Sequence, residues 1–218
     1  MARQSFDLEL DSLHHGIIRM GSRVEEQIDN CINALIKHDA ILAKQVIDDD
    51  DIIDSMETDI EEKCIKLIAR QQPLAIDLRK IFTAIKIVTD LERIADHAVD
   101  IAKITILLKD EEYIKPLIDI PRMADIVQEM IKVSLDAYVR LDPKLAEEIT
   151  ERDDEIDDIY KQVFRELLQY MVEDASTIRQ ATQFLFVCKF LERIADHVTN
   201  ICEWTVYLVT GEHKDLND

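Results

Sequence analysis

The residues in this sequence best suited to chemistry are carboxylates spaced at helical steps of four. Glu92, Asp96 and Asp100 stand in TDLERIADHAVDIAK, and Glu192 and Asp196 in KFLERIADHVTNICEW, where the heptapeptide LERIADH at 91–97 returns at 191–197. On a helix turning about 100° per residue these acids stack on one face, while Leu91, Ile94, Ala95, Ala98 and Ala102 make an apolar stripe on another. A second row, Asp50, Asp54, Glu57 and Glu61, falls within about 60° of arc beside the apolar stripe of Leu42, Val46, Ile53, Ile60 and Cys64. An acid row that borders a core seam is placed to face a neighbouring helix. Like charges at i,i+4 destabilise a helix by about a few tenths of a kcal/mol per pair, and two facing rows add repulsion across the gap. Cations would offset it, since Mg²⁺, Mn²⁺, Ca²⁺, Fe and Zn all accept carboxylate oxygens, and acids from two helices could bridge more than one ion. The plainer alternative is a solvated face on an acidic protein.

The later copy keeps Asp153 and Asp157 before Glu192 and Asp196, but Tyr160 and Phe164 stand where the first copy has Glu57 and Glu61. Glu203, about 20° from Glu192 on the wheel, adds an acid where the first copy has Lys103. The two sites are thus expected to be related but unequal. His97 and His197 project about 100° from Asp96 and Asp196, which favours an interface or surface role over direct ligation. Arg79 and Arg179, at matching positions near helix starts, read as salt-bridge or cap contacts, and Trp204, Tyr207 and Leu208 as core or interface. Cys31, Cys64, Cys188 and Cys202 lack paired CxxC spacing and read as small, reduced core residues.

Helices must position these acids. Only three Gly and four Pro occur in 218 residues of which 47% are hydrophobic and 33% charged, a composition for a nearly all-helical chain. Phe6, Leu10, Leu13, Ile17, Met20, Val24, Ile28, Cys31 and Leu35 recur at steps of three and four, the seam of a long first helix ending near His38. Asp39 caps a second helix running to about Arg70, QQP at 71–73 breaks the chain, and a third helix covers about 75–109. The stretch KDEEYIKPLIDIP reads as a linker. A fourth helix follows over about 122–141, then Asp142 and Pro143 open a fifth, VEDAS turns the chain, and Gly211 stops a sixth.

The stretches at 38–54 and 141–157 align with an offset of 103, pairing Asp39 with Asp142, Ala43 with Ala146, Asp50 with Asp153 and Asp54 with Asp157. The offset falls to 100 at the third helix, as a shortened turn between duplicated helices requires. The expected fold is all-α: a three-helix repeat over 1–109, a linker over 110–121 and a second three-helix repeat over 122–218, with long helices of about 45 to 50 Å. A formal net charge of −20 disfavours nucleic acid and anionic lipid and favours cations or basic protein surfaces. No apolar run approaches the roughly 18 residues of a membrane span, and the start has no apolar signal region, so a cytoplasmic protein is expected.

QQPLAIDLRKIFTAIKIVTDLERIADHAVDIA and LERIADHVTNICEWTVYLVTGE closely resemble the PhoU family of phosphate-signalling regulators, and the likeness runs from FDLEL to TGE with the same duplication. The resemblance implies tandem three-helix bundles, a homodimer, and action without catalysis. Family members act with the Pst phosphate transporter, whose ATPase is PstB, and with the sensor kinase PhoR; they restrain phosphate uptake and repress the starvation response when phosphate is plentiful. Some bind multinuclear metal clusters through paired E/DxxxD motifs. These carry over to Asp50 and Asp54 with Glu92 and Asp96, and to Asp153 and Asp157 with Glu192 and Asp196. With the flanking acids, the expected metal-facing set is Asp50, Asp54, Glu57, Glu92, Asp96 and Asp100 in the first copy, and Asp153, Asp157, Glu192, Asp196, Asn200 and Glu203 in the second, for Fe, Zn, Mn or Mg. The chain departs from the family's LERIGDH at Ala95 and Ala195, carries Asp100 where Asn200 keeps the usual Asn, and has Lys103 for the usual Glu.

A di-metal carboxylate enzyme or a metal store is the alternative reading. Helical bundles of that class use ExxH pairs, and none of the six histidines has Glu three residues before it, so a non-enzymatic regulator is expected.

Overall fold

The structure, a computed structural model, describes residues 2–71 and 73–216, with side chains over 6–70 and 73–216. Six α-helices run in order: α1 (Ala2–Lys37), α2 (Ala40–Gln71), α3 (Ala75–Leu108), α4 (Asp119–Arg140), α5 (Pro143–Glu173) and, after a 3₁₀ turn at Ala175–Thr177, α6 (Ile178–Thr210). No strand occurs among the described residues. Every residue of the α1 seam from Phe6 to Leu35 is buried, because its alternating steps of three and four hold one stripe against α2 and α3. Gln72 of the QQP break lies outside the described residues.

The duplication extends to backbone conformation. Both α1 and α4 end on a non-glycine residue in the left-handed region, His38 and Leu141, each with φ of 54°. The next residue caps the following helix in both copies. Asp39 accepts from the backbone N–H groups of Ile41 and Leu42 at 3.0 Å, and Asp142 from those of Lys144 and Leu145 at 3.1 and 3.2 Å.

Two expectations shift. The fourth helix starts at Asp119 rather than near Arg122, because Pro121 sits in the first turn, where its missing N–H breaks no helical bond. With 22 residues it spans only about 33 Å, against about 46 to 54 Å for the other five. The chain between α3 and α4 is also less of a free linker than its prolines imply. Gln180, buried on α6, accepts from the Ile114 N–H at 2.6 Å and donates to the Glu112 carbonyl at 3.0 Å and the Glu111 carboxylate at 3.2 Å. Tyr113 donates its hydroxyl to the Leu35 carbonyl at 2.6 Å, and Lys115 bonds Asp119 at 3.2 Å and Glu166 at 2.5 Å.

The two repeats join through α1 on α4 and α3 on α6, so that one continuous apolar core includes residues of all six helices. Both pairs are antiparallel, with His14 beside Tyr138 and Gly21 beside Leu135 in one, and Phe82 beside Trp204 and His97 beside Phe190 in the other. Gly21 lets α4 approach, since a Cβ there would collide with the Leu135 side chain. Gly211 ends α6 with φ of 81°, and a Cβ there would lie 2.7 Å from the Arg79 guanidinium. Arg79 also sits 5.6 Å from the Tyr207 ring centre, while Arg179 bonds Glu111 at 2.7 Å. All four cysteines are buried and free, and burial pushes the thiols of Cys64, Cys188 and Cys202 up to about 12, which keeps them protonated. Among the described residues, no helix is long and apolar enough to cross a membrane.

Candidate functional site

Packing of α2 on α3 brings the first repeat's two acid rows together. The Glu92 carboxyl is pushed up to about 7, first by burial and then by Asp96; Arg93 opposes the rise, and Glu57 and Asp54 on α2 add to it. Asp50 is raised chiefly by burial, with Asp54 and Asp96 adding, although Gln27 donates to its Oδ1 at 3.1 Å. Glu57 is likewise raised by burial and by Glu61 and Asp54, against a hydrogen bond from Thr89. Carboxylates from both helices therefore share one field. Some of their charge is balanced locally, since Arg93 lies 3.1 Å from Asp96 and 3.4 Å from Glu92, and Lys103 lies 3.0 Å from Asp100.

The second repeat does the same with fewer acids. Asp153 is pushed up to about 6 by burial, then by Asp196, Asp157 and Glu192, and its Oδ1 is buried without a hydrogen-bond partner. Asp196 is raised by burial, opposed by Lys189 and His197, with Asp157 adding to the rise. Lys161 bonds Asp157 at 3.2 Å, and Lys189 donates to Glu192 Oε1 at 2.5 Å and sits over the Tyr160 ring. Tyr160 has thus replaced an acid with a ring that holds a cation beside the row.

Two expected members lie apart. Asn200 turns away from the acid row and donates to Asp90 on α3 at 3.1 Å. Glu203 shares an angle with Glu192 but lies three turns further along, about 16 Å by rise, where it accepts from the Leu216 N–H at 2.8 Å and is raised by burial. A wheel projection discards that axial distance.

Asp90, Gln27 and Thr89 were not singled out by spacing. Asp90, 8% exposed, lies at the α3/α6 contact and receives His197 Nδ1 at 2.9 Å as well as Asn200. Its counterpart in the second copy is Phe190, which stacks on His97 at 5.5 Å between ring centres. The two histidine rings approach within 5.8 Å, and burial, with the nearby His197 and Arg193, lowers His97 to about 4. A charged residue within the apolar run Ile87, Val88, Leu91 and Ile94 was the available signal for Asp90.

Carboxylates with raised proton affinity, one of them holding an unpartnered buried oxygen, are the donor chemistry of a hard or borderline cation site. As the side chains stand, no group of three or more His, Cys, Asp and Glu among the described residues converges closely enough to hold an ion. Ligation would require the carboxylates to leave Arg93, Lys161 and Lys189 and turn toward one another.

The family model of the PhoU domain matches this chain twice, over residues 17–105 and 120–205. A phosphate-specific transport system accessory protein PhoU homolog from Clostridium acetobutylicum is 53% identical over 219 residues, covering 100% of both chains. The homolog of the same description from Pseudomonas aeruginosa is 40% identical over 209 residues, covering 95% of this chain and 86% of its own. Among solved structures, the crystal structure of PhoU from Pseudomonas aeruginosa superposes with a TM-score of 0.91 at 39% identity, covering 95% of this chain and 100% of that one. The phosphate transport system regulatory protein PhoU from Streptococcus pneumoniae gives 0.90 at 32% identity, covering 96% and 99%. Twice-matched, end to end, by sequence and by fold, this chain belongs to the PhoU family.

Proposed function

We propose that this protein is a non-enzymatic regulator of phosphate homeostasis, an accessory to a phosphate-specific transporter that restrains phosphate uptake and the phosphate-starvation response. The observation that carries the reading is full-length identity of 53% to a relative described as an accessory protein of that transport system. The protein acts in the cytoplasm as a homodimer, through helical surfaces that contact the transporter ATPase PstB and the sensor kinase PhoR. Its acid faces take divalent or iron ions, which would neutralise the opposed carboxylates of α2 and α3 and of α5 and α6. The absence of any ExxH pair supports a role without redox catalysis.

The test is a strain lacking the endogenous gene, carrying a reporter for a phosphate-starvation promoter and grown in high phosphate. The reporter is expected to be derepressed and to return to baseline when this chain is supplied. Reporter output equal with and without the protein would overturn the reading. Elemental analysis of protein purified without a metal-affinity step tests the metal component: metal lost in the Glu92→Ala/Asp96→Ala/Glu192→Ala/Asp196→Ala variant assigns it to the acid faces, and metal-free wild type removes it.

A further inference from the structure

Opposite the α3/α6 contact, the other joint between the repeats leaves an open groove. It runs along α1 and α4, with one stretch of about 620 Å³ whose lining includes Ile18, Leu135 and Val139, and an adjoining stretch of about 550 Å³ whose lining includes Glu26, Asp29 and Glu129. Ser22, Glu25 and Lys132 line both, so the two stretches are continuous. From His14 to Asp29 the groove covers about 22 Å of α1, room for roughly four turns of another helix.

The two ends differ in chemistry. At the apolar end Val139 is 59% exposed, a large hydrophobic side chain held in water on the groove wall. At the other end Lys132 is the one cation among five carboxylates in the lining of the adjoining stretch. Glu25 is already raised by burial, with Asp136 adding and Lys132 opposing, so a further cation at that end would be welcome. None of the acids proposed to hold metal lines either stretch.

We propose that the α1/α4 groove docks one amphipathic helix of a partner protein, its apolar residues on Ile18, Leu135 and Val139 and its Lys or Arg residues on Glu25, Asp29 and Glu129. Charge complementarity selects this occupant. A second copy of the chain would bring a net charge of −20 to an already acidic trough, and an anionic membrane would be repelled in the same way. A helix with apolar anchors at steps of three and four and basic residues at one end matches both stretches. The inference rests on the adaptor reading only for the partner's biological role. Docking is measured with the purified chain and phosphate regulation in cells, so each fails independently.

The probe is a labelled 16-residue helical peptide with Leu at i, i+3 and i+4 in one half and Lys on the same face of the other, titrated with the protein by fluorescence anisotropy. Saturable binding is expected, weakened at least tenfold by Glu25→Lys/Glu129→Lys and by Ile18→Asp/Val139→Asp. It should change less than twofold for Asp59→Lys/Asp158→Lys, an equal charge change on exposed positions of α2 and α5. Unchanged helicity by circular dichroism qualifies each variant. Equal weakening by the groove and control charge variants would reveal general attraction to an acidic protein and overturn the proposal. So would absence of saturable binding, or self-association abolished by Val139→Asp, which would give the groove to a second copy.

Discussion

Glu92→Gln tests whether burial beside other acids makes the Glu92 carboxylate a real electrostatic load. A carboxyl raised from 4.5 to about 7 binds a proton more tightly in the folded chain than in the unfolded one, so stability falls as pH climbs from 4.5 through 7. The rise corresponds to roughly 3 kcal/mol of penalty once the group is ionised in both states. Because the side chain is 16% exposed and lies 3.4 Å from Arg93, screening and the lost ion pair reduce the net gain on neutralisation to about 1 to 2 kcal/mol. For a chain of this size that is a melting temperature about 3 to 6 °C higher for Glu92→Gln than for wild type at pH 8. At pH 5 the difference should shrink to about a quarter of that, since most of the penalty appears above the unfolded-state value. Thermal unfolding followed by circular dichroism in the presence of a chelator reads this directly. Equal melting temperatures at pH 8, or a wild type more stable than the variant there, would refute the account of the acid face. Replacing the chelator with Mn²⁺ should reverse the order, because the variant lacks one of the carboxylates that would bind the ion and so gains less from it.

Three further outcomes follow from the packing. Asp90→Ala strands His197 and Asn200 at the α3/α6 contact and should destabilise the chain by about 1 to 3 kcal/mol in urea unfolding, the range for two lost hydrogen bonds at a nearly buried acceptor. Gln180→Leu should leave the melting transition cooperative yet speed amide hydrogen exchange at Ile114 at least tenfold, since that N–H loses its 2.6 Å acceptor. Gly211→Ala should cost about 1 to 2 kcal/mol by denaturant titration, because alanine must hold φ of 81° and displace the Arg79 guanidinium; an unchanged midpoint would show that the α6 terminus rearranges freely.

Helix number, order and caps were legible because each rests on local rules. The seam from Phe6 to Leu35 carries the helical period, and Asp39, Asp142 and Gly211 mark the ends by the bonds or conformations those residue types favour. The start of α4 was misplaced because Pro121 looks like a barrier and is in fact in the first turn. The acid rows were legible as faces, yet which acids meet depends on the neighbouring helix. Glu203 and Asn200 share a wheel sector with their row but are claimed by Leu216 and Asp90, partners a single helix cannot announce. Gln27 meets Asp50 from α1, and Asp90 meets His197 over 107 residues, so both belong to tertiary packing.

The unequal pairing at the α3/α6 contact also determines how the two halves recognise each other. A duplicated protein is at risk of mistaking one half for the other, and α3 could pair with another α3. Here the correct partnership sets Asp90 against His197 and Asn200 at one place and Phe190 against His97 at its mirror place. An α3 homotypic pair would put Asp90 near Asp100, the residue standing where α6 has Asn200, and would lose the phenyl stack. An α6 pair would bury Phe190 against His197 with no carboxylate to receive it. The small sequence divergence between the copies thus works as an address: it directs α3 to α6 and discourages pairing of like halves, α3 with α3 or α6 with α6, between neighbouring molecules.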